Sequence, residues 1–155
     1  MKYFLECVYS FIGSYCFSII FNIRGRKTFF AGLGGAINQS SFILLGFLIY
    51  GNITNYFFAT VITALYAEII ARIEKAPATV FLVPSIIPLV PGGMMYYTME
   101  HCIRGETSKF LNMLLDTFGV AGALAMGILV VSSGSKIVKV AKNKRRKLLL
   151  DRKQV

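Results

Sequence analysis

Pro84, Pro88 and Pro91, followed at once by Gly92 and Gly93, lie inside a run from Ala76 to Tyr97 that is long and apolar enough to cross a bilayer. Each internal proline removes an intrahelical hydrogen bond and crowds the preceding turn, at about 3 kcal/mol in an ordinary helix. Lipid supplies no partner for the released carbonyls of Val80, Pro84 and Ile87. Broken backbone at that depth survives only where protein buries it or where it lines a polar cavity. Val83, Ile87 and Val90 each precede a proline and are pushed toward extended backbone. Pro91 suits the first position of a new half-helix, where its missing N–H costs nothing. The N–H groups of Gly92, Gly93 and Met94 would then point toward the membrane interior, where a helix N-terminus favours an anion such as a substrate carboxylate. The plainer alternative is a proline-kinked helix of structural use only.

Other polar groups fall within apolar runs. Asn38 and Gln39 lie near the centre of their own run. Side-chain amides there need hydrogen-bond partners, and either bind the amine or hydroxyl of a substrate or tie helices together. Glu68 stands four residues before Arg72, the spacing of an ion pair on one helix face near the end of a span; a proton-carrying carboxylate is the other reading. Asp116 is about two turns into the last apolar run. A lone carboxylate in lipid costs at least about 2.5 to 3.5 kcal/mol on insertion scales, which makes it a candidate for function. Tyr96 and Tyr97 read as interfacial anchors. Glu6 and His101 lie at span ends or in a loop and receive no role.

The elements that must hold these residues follow from composition. The chain has 155 residues, 55% of them hydrophobic and 15% charged, with a mean hydropathy of +0.63. The apolar residues fall in blocks of about twenty, the length of a helix crossing the hydrocarbon core. This predicts an all-α polytopic membrane protein of five spans, at about 3–23, 29–50, 53–73, 79–99 (the broken one) and 110–131. No signal-peptide pattern precedes the first block, which is expected to remain a membrane helix. Residues 1–133 form the membrane domain and 134–155 a basic cytoplasmic tail. That tail holds nine Lys or Arg against Asp151, so most of the net charge of +10 belongs to it. It reads as an anchor touching anionic lipid headgroups, not a nucleic-acid surface.

The loops set orientation. Arg24, Arg26 and Lys27 follow the first span, Gly51 and Asn52 the second, and Arg72 and Lys75 flank the third connection. Glu100, Arg104, Glu106 and Lys109 balance the fourth, and the basic tail follows. Under the positive-inside rule this alternation places the N-terminus outside and the C-terminus in the cytoplasm. An odd number of spans means that a second five-helix unit starting in the cytoplasm would lie inverted, a common transporter plan with the site at the shared midplane. Gly32, Gly34, Gly35 and Ala36, and later Gly119, Gly122, Ala123 and Gly127, offer small surfaces for close helix packing.

Cys7, Cys16 and Cys102 form no metal or disulfide motif. There is no Walker A loop, GxSxG elbow or HExxH, so no enzyme, cofactor or metal is expected and any transport runs on a gradient.

The run KAPATVFLVPSIIPLVPGGMMYYTM from Lys75 to Met99 resembles the signature of the threonine/serine exporter family, in particular the small, separately encoded half of its two-component members. The likeness extends to IIFNIRGR at 19–26, AGLGGAI at 31–37, ALYAEIIAR at 64–72 and GVAGALAMGIL at 119–129, nearly the whole chain. The resemblance implies five spans per half and a companion membrane subunit carrying a further hydrolase-like cytoplasmic region. It also implies proton-motive export of small hydroxy amino acids or, in some members, of a dicarboxylate such as succinate. Ser85 stands where glycine is commoner in that motif and adds a hydroxyl at the break. The expected substrate contacts are therefore Asn38, Gln39, Ser85, Pro88, Pro91, Gly92 and Gly93, with Glu68 or Asp116 coupling protons. No Lys or Arg lies near a span centre to hold a second carboxylate, which favours an amino acid. The expected partners are the companion subunit, a small-molecule substrate and membrane lipids, with higher assembly open. A homo-oligomeric channel and a membrane scaffold are the remaining alternatives.

Overall fold

A computed structural model describes residues 1–48 and 51–151, with side chains described to Val138 except that of Asn52. The expected end of the second span at Tyr50 and the side chains of the tail cations beyond Lys136 lie outside what is described; Asn52, expected in the loop after that span, instead begins α3. Among the described residues six α-helices run in the order α1 (Lys2–Ile20), α2 (Arg26–Leu48), α3 (Asn52–Ile73), α4 (Thr79–Ile86), α5 (Gly92–Ile103) and α6 (Thr107–Asp151). A single 3₁₀ turn, Ile87–Leu89, follows α4, and no strand occurs among the described residues. Helices α1, α2, α3 and α6 are long and apolar enough to cross a membrane; α4 and α5, bent by 51° at the break, make a fifth span when counted as one.

Several bounds differ from expectation: α1 ends at Ile20 and not at 23, α2 begins at Arg26 and not at 29, and α6 begins at Thr107 and not at 110. The broken span runs on to Ile103, because α5 stays helical until Gly105. Helix α6 continues through the basic segment to Asp151 without a boundary near 133. No Gly or Pro follows Gly134, and the Lys, Arg, Ala and Leu of that stretch favour helix. At 1.5 Å per residue α6 is about 68 Å long, roughly twice the hydrocarbon thickness.

Three helices end in the same way. Asn22, Lys75 and Gly105 adopt positive φ of 58°, 49° and 72°. After each, the chain reaches back to a carbonyl five residues earlier: Ile23 N–H to Ser18 O, Ala76 N–H to Ala71 O, and Glu106 N–H to His101 O, all 3.0–3.1 Å. These are Schellman caps, which satisfy the last helical carbonyls and turn the chain sharply. They explain the short connections.

Helix α2 is central, packed between α1 on one side and α3 and α4 on the other; α3 also packs along α6, and α5 rests on α6. Alanines do much of this. Ala31, Ala64, Ala67 and Ala71 close around the fully buried Phe81 of α4. Glycines bring the backbones closer still. A Cβ on Gly34 would overlap the Ser85 hydroxyl; one on Gly35 would overlap that of Ser14 and lie 2.8 Å from the Ser10 carbonyl; one on Gly127 would lie 3.0 Å from Thr60. Gly122, by contrast, faces open space. Since lipid is as apolar as the core, such contacts hold the bundle by packing and not by the hydrophobic effect.

At the α5–α6 turn, Glu106 accepts from Lys109 Nζ (3.1 Å) and pairs with His101 Nδ1 (2.7 Å). The Lys109 hydrogen bond, then that of His101, pulls its carboxyl below the usual range. A carboxylate lowered in the folded state stabilises above its ordinary pKa and loses that contribution as pH falls through the lowered value. Amide exchange across 101–109, corrected for intrinsic rates, should therefore accelerate on acidification below about pH 4, and Glu106→Gln should remove the pH dependence. Gly35→Leu should lower the thermal midpoint of the detergent-purified protein by overpacking worth about 1–3 kcal/mol, whereas Gly122→Ala should leave it unchanged.

Candidate functional site

The break begins where the prolines act on hydrogen bonding. Pro84 sits inside α4, buried. Past Ile86 the chain tightens to a 3₁₀ turn, in which each N–H pairs three residues back rather than four. The Ser85 carbonyl thereby loses its helical donor. Asn38 supplies another: its Nδ2 donates to Ser85 O at 2.9 Å, and its Oδ1 accepts from Thr63 Oγ1 at 2.9 Å. The Ser85 hydroxyl donates to Phe81 O (2.7 Å) and lies 3.1 Å from Ala31 O on α2. Asn38, Thr63 and Ser85 are all fully buried. One amide thus joins α2, α3 and the broken span, so Asn38 and Ser85 serve as a tie in this conformation and do not face an open cavity.

The sequence expectation needs correction at several points: Val83 stays helical inside α4, and Ile87 (φ −47°, ψ −43°) is helical and not extended. The Ile87 carbonyl is not released, because the 3₁₀ turn lets Val90 N–H reach it at 3.1 Å. The Gly92 N–H is not free; the extended Val90 (ψ 129°) brings its own carbonyl within 2.7 Å of it. Pro91 is the N-cap of α5 and not its first residue, since its ψ of 54° is not helical. What remains at the start of α5 is the pair of N–H groups on Gly93 and Met94, which have no backbone acceptor among the described residues. Gly92 and Gly93 are exposed, with nothing within 4 Å of a Cβ built on either. Pro88 is half-buried and Pro91 buried.

Asp116 comes to the same place from α6. A cavity of about 290 Å³ is lined by Met94 at the start of α5, Asp116 and Val120 of α6, and Gly51, Ile53 and Thr54 at the start of α3. It brings a carboxylate and a hydroxyl into one hollow that the first turn of α5 reaches through Met94. Nearby, Thr98 and Thr117 hydroxyls meet at 3.3 Å and fasten α5 to α6. Gln39 is half-buried and makes no side-chain hydrogen bond among the described residues.

Glu68 is elsewhere. Its Oε1 accepts from Ser135 Oγ at 2.9 Å, and Arg72 Nη2 lies 3.7 Å from Oε2. The expected i, i+4 pair is present, and Glu68 and Asp116 line different cavities. Thr54, Thr63 and Ser135 were not singled out from the sequence. Hydroxyls on apolar helices usually bond their own backbone four residues back, as Thr60 does to Tyr56 O, so nothing in their spacing marks them.

Comparison with known families matches residues 6–133 to the family described as Threonine/Serine exporter, ThrE. No curated protein and no solved structure matches the chain.

Asn38→Ala should leave the Ser85 carbonyl buried and unpartnered, lowering stability by about 1–3 kcal/mol. In a double-mutant cycle with Thr63→Val, read by thermal unfolding in detergent, the two losses should fall well short of adding, since one network is broken twice.

Proposed function

Because this chain belongs to the threonine/serine exporter family, we propose that it is the membrane subunit of a gradient-driven exporter of small hydroxy amino acids that works with a companion five-helix chain. The observation that carries this reading is the hollow where the start of α5 meets Asp116 and Thr54. A zwitterionic hydroxy amino acid has three groups, and the hollow together with the adjoining first turn of α5 offers a counterpart to each. The substrate carboxylate suits the Gly93 and Met94 N–H groups at the positive end of a helix. Its ammonium suits the Asp116 carboxylate, and its hydroxyl suits Thr54. Pro88 and Pro91 keep the backbone from closing over those N–H groups, and Gln39 is the amide left for a polar contact.

Asp116 also supplies a coupling rule. The carboxylate holds either a proton or the substrate's ammonium. A carrier that releases substrate outside returns with the proton, so export draws on the proton gradient. Glu68, bound to Ser135 and facing Arg72, is the weaker coupling candidate. A dicarboxylate fits the hollow less well, since its second carboxylate would meet Asp116.

The companion completes the site. Gly92 and Gly93 lie exposed at the break, and backbone in this state is not tolerated against lipid. The family and the apolar helices make this a multi-pass membrane protein; the loop charges support an outside N-terminus and a cytoplasmic C-terminus in the cell membrane.

The test is efflux from cells loaded with threonine, serine or succinate, with and without the companion chain. Threonine and serine should leave faster with both chains present, and more so as the external medium is acidified. Asp116→Asn should lower that efflux about 10- to 100-fold, the worth of one charge-assisted hydrogen bond, and abolish its response to pH. Unchanged efflux in Asp116→Asn, or acceleration of succinate alone, would overturn the assignment.

A further inference from the structure

The outside of the bundle has two characters. Along α1 the exposed side chains are apolar or aromatic, among them Tyr9, Ile12, Phe17 and Ile20, and such a face suits lipid. The flank of α6 beside α3 is different. Asn112 and Asp116 lie one turn apart there, both exposed, and neither makes a hydrogen bond or ion pair among the described residues. Asp116 is about 13 Å along the axis from the start of α6 at Thr107. The exposed Gly92 and Gly93 adjoin it, since Met94 after them shares its hollow. Carboxylates and amides at such depth almost always face a bundle interior or a watery cavity. In this chain alone they face outward. From the hollow an apolar groove of about 430 Å³ continues along the same seam. The two share Ile53 and Thr54, and Phe57, Ala123 and Met126 wall the groove further on. Asn112, Asp116, Ala123 and Met126 fall on one helix flank, which spans about 21 Å or two-thirds of the hydrocarbon thickness.

Lipid, a second copy of this chain and a different chain are the three occupants to weigh. Lipid offers nothing to a carboxylate, an amide or open backbone. A second copy meets a conflict of charge. Copies related by an axis along the membrane normal keep every residue at its own depth, so this face against itself would set Asp116 opposite Asp116. A non-identical chain avoids that. We propose that the α3–α6 flank, with the adjoining first turn of α5, is the surface on which the companion chain docks. One of the companion's membrane helices seats in the groove, apolar at the depth of Met126 and hydrogen-bonding at the depth of Asn112. Because groove and hollow are continuous, the helix that fills the first also roofs the second, and Asp116 stays free for the solute beneath it. The inference rests on the companion proposed above and adds which face receives it, leaving the α1 side to lipid.

The two full chains would be co-expressed, with a photo-crosslinking amino acid in place of Met126 in the groove or of Tyr9 or Ile12 on α1. All three side chains are exposed in this chain, so the replacements disturb its fold little. Irradiation of membranes should join the two chains from position 126, and at least about tenfold less from positions 9 and 12. Met126→Trp, which fills the groove, should lower the companion recovered with this chain about tenfold. Asn112→Leu should lower it about threefold, the worth of one hydrogen bond between membrane helices. Neither change should lower the thermal midpoint of this chain purified by itself, which separates lost docking from lost folding. Crosslinking to the companion from α1 and not from position 126 would overturn the docking face and leave the companion standing. A product at position 126 made of two copies of this chain would overturn it as well. Two wild-type chains that never co-purify would overturn both this inference and the companion it rests on.

Discussion

The hydrogen bond from Asn38 Nδ2 to the Ser85 carbonyl is what allows the rest of this structure to exist in a membrane. Prolines at 84, 88 and 91 force the helix to tighten and then stop, and in hydrocarbon a carbonyl without a donor costs several kcal/mol. Asn38 meets that need from α2, and Thr63 of α3 in turn holds the amide oxygen. The break is therefore a crosslink of three elements as well as an interruption of one. Gly34 belongs to the same arrangement, since only a residue without a Cβ lets Ser85 sit so close to α2.

Once the backbone is broken in this way, its two halves diverge by 51°. Helix α4 stays in the core with α2 and α3, while α5 leans on α6. That divergence brings the open first turn of α5 beside Asp116 and the start of α3. The α3–α6 seam then carries a carboxylate toward each end, Asp116 in a polar hollow and Glu68 at the head of an aliphatic cleft. The two carboxylates have different surroundings: Asp116 lines a hollow with Thr54 and Met94, whereas Glu68 meets a hydroxyl and a guanidinium.

Much of this was legible in the sequence. Blocks of about twenty apolar residues marked the spans, because a bilayer imposes its thickness on every helix that crosses it. The proline spacing marked the break, because missing N–H groups act locally. The need of Asn38 for a partner was legible, but the partner was not: which carbonyl is left over depends on the change from α to 3₁₀ pairing after Ile86, and spacing does not record that. The pairing also returned Ile87 O and Gly92 N–H to local partners, so the open first turn is narrower than three consecutive N–H groups. The helical continuation of α6 past residue 133 was hidden by reading charge as a boundary, although Lys and Arg are good helix formers. The meeting of Met94, Asp116 and Thr54 joins three elements distant in sequence, and no periodicity reports it.

The central claim is that the first turn of α5 opens to a solute and not to lipid. It is tested most directly at Gly93, in a chain whose Cys7, Cys16 and Cys102 are replaced and which carries Gly93→Cys, placed in membranes with the proposed companion. The account predicts that a hydrophilic thiol reagent modifies this cysteine and that threonine slows the modification, while Asp116→Asn abolishes the protection. A cysteine at 93 that the reagent never reaches, or one modified at the same rate whether or not threonine is present, would contradict it.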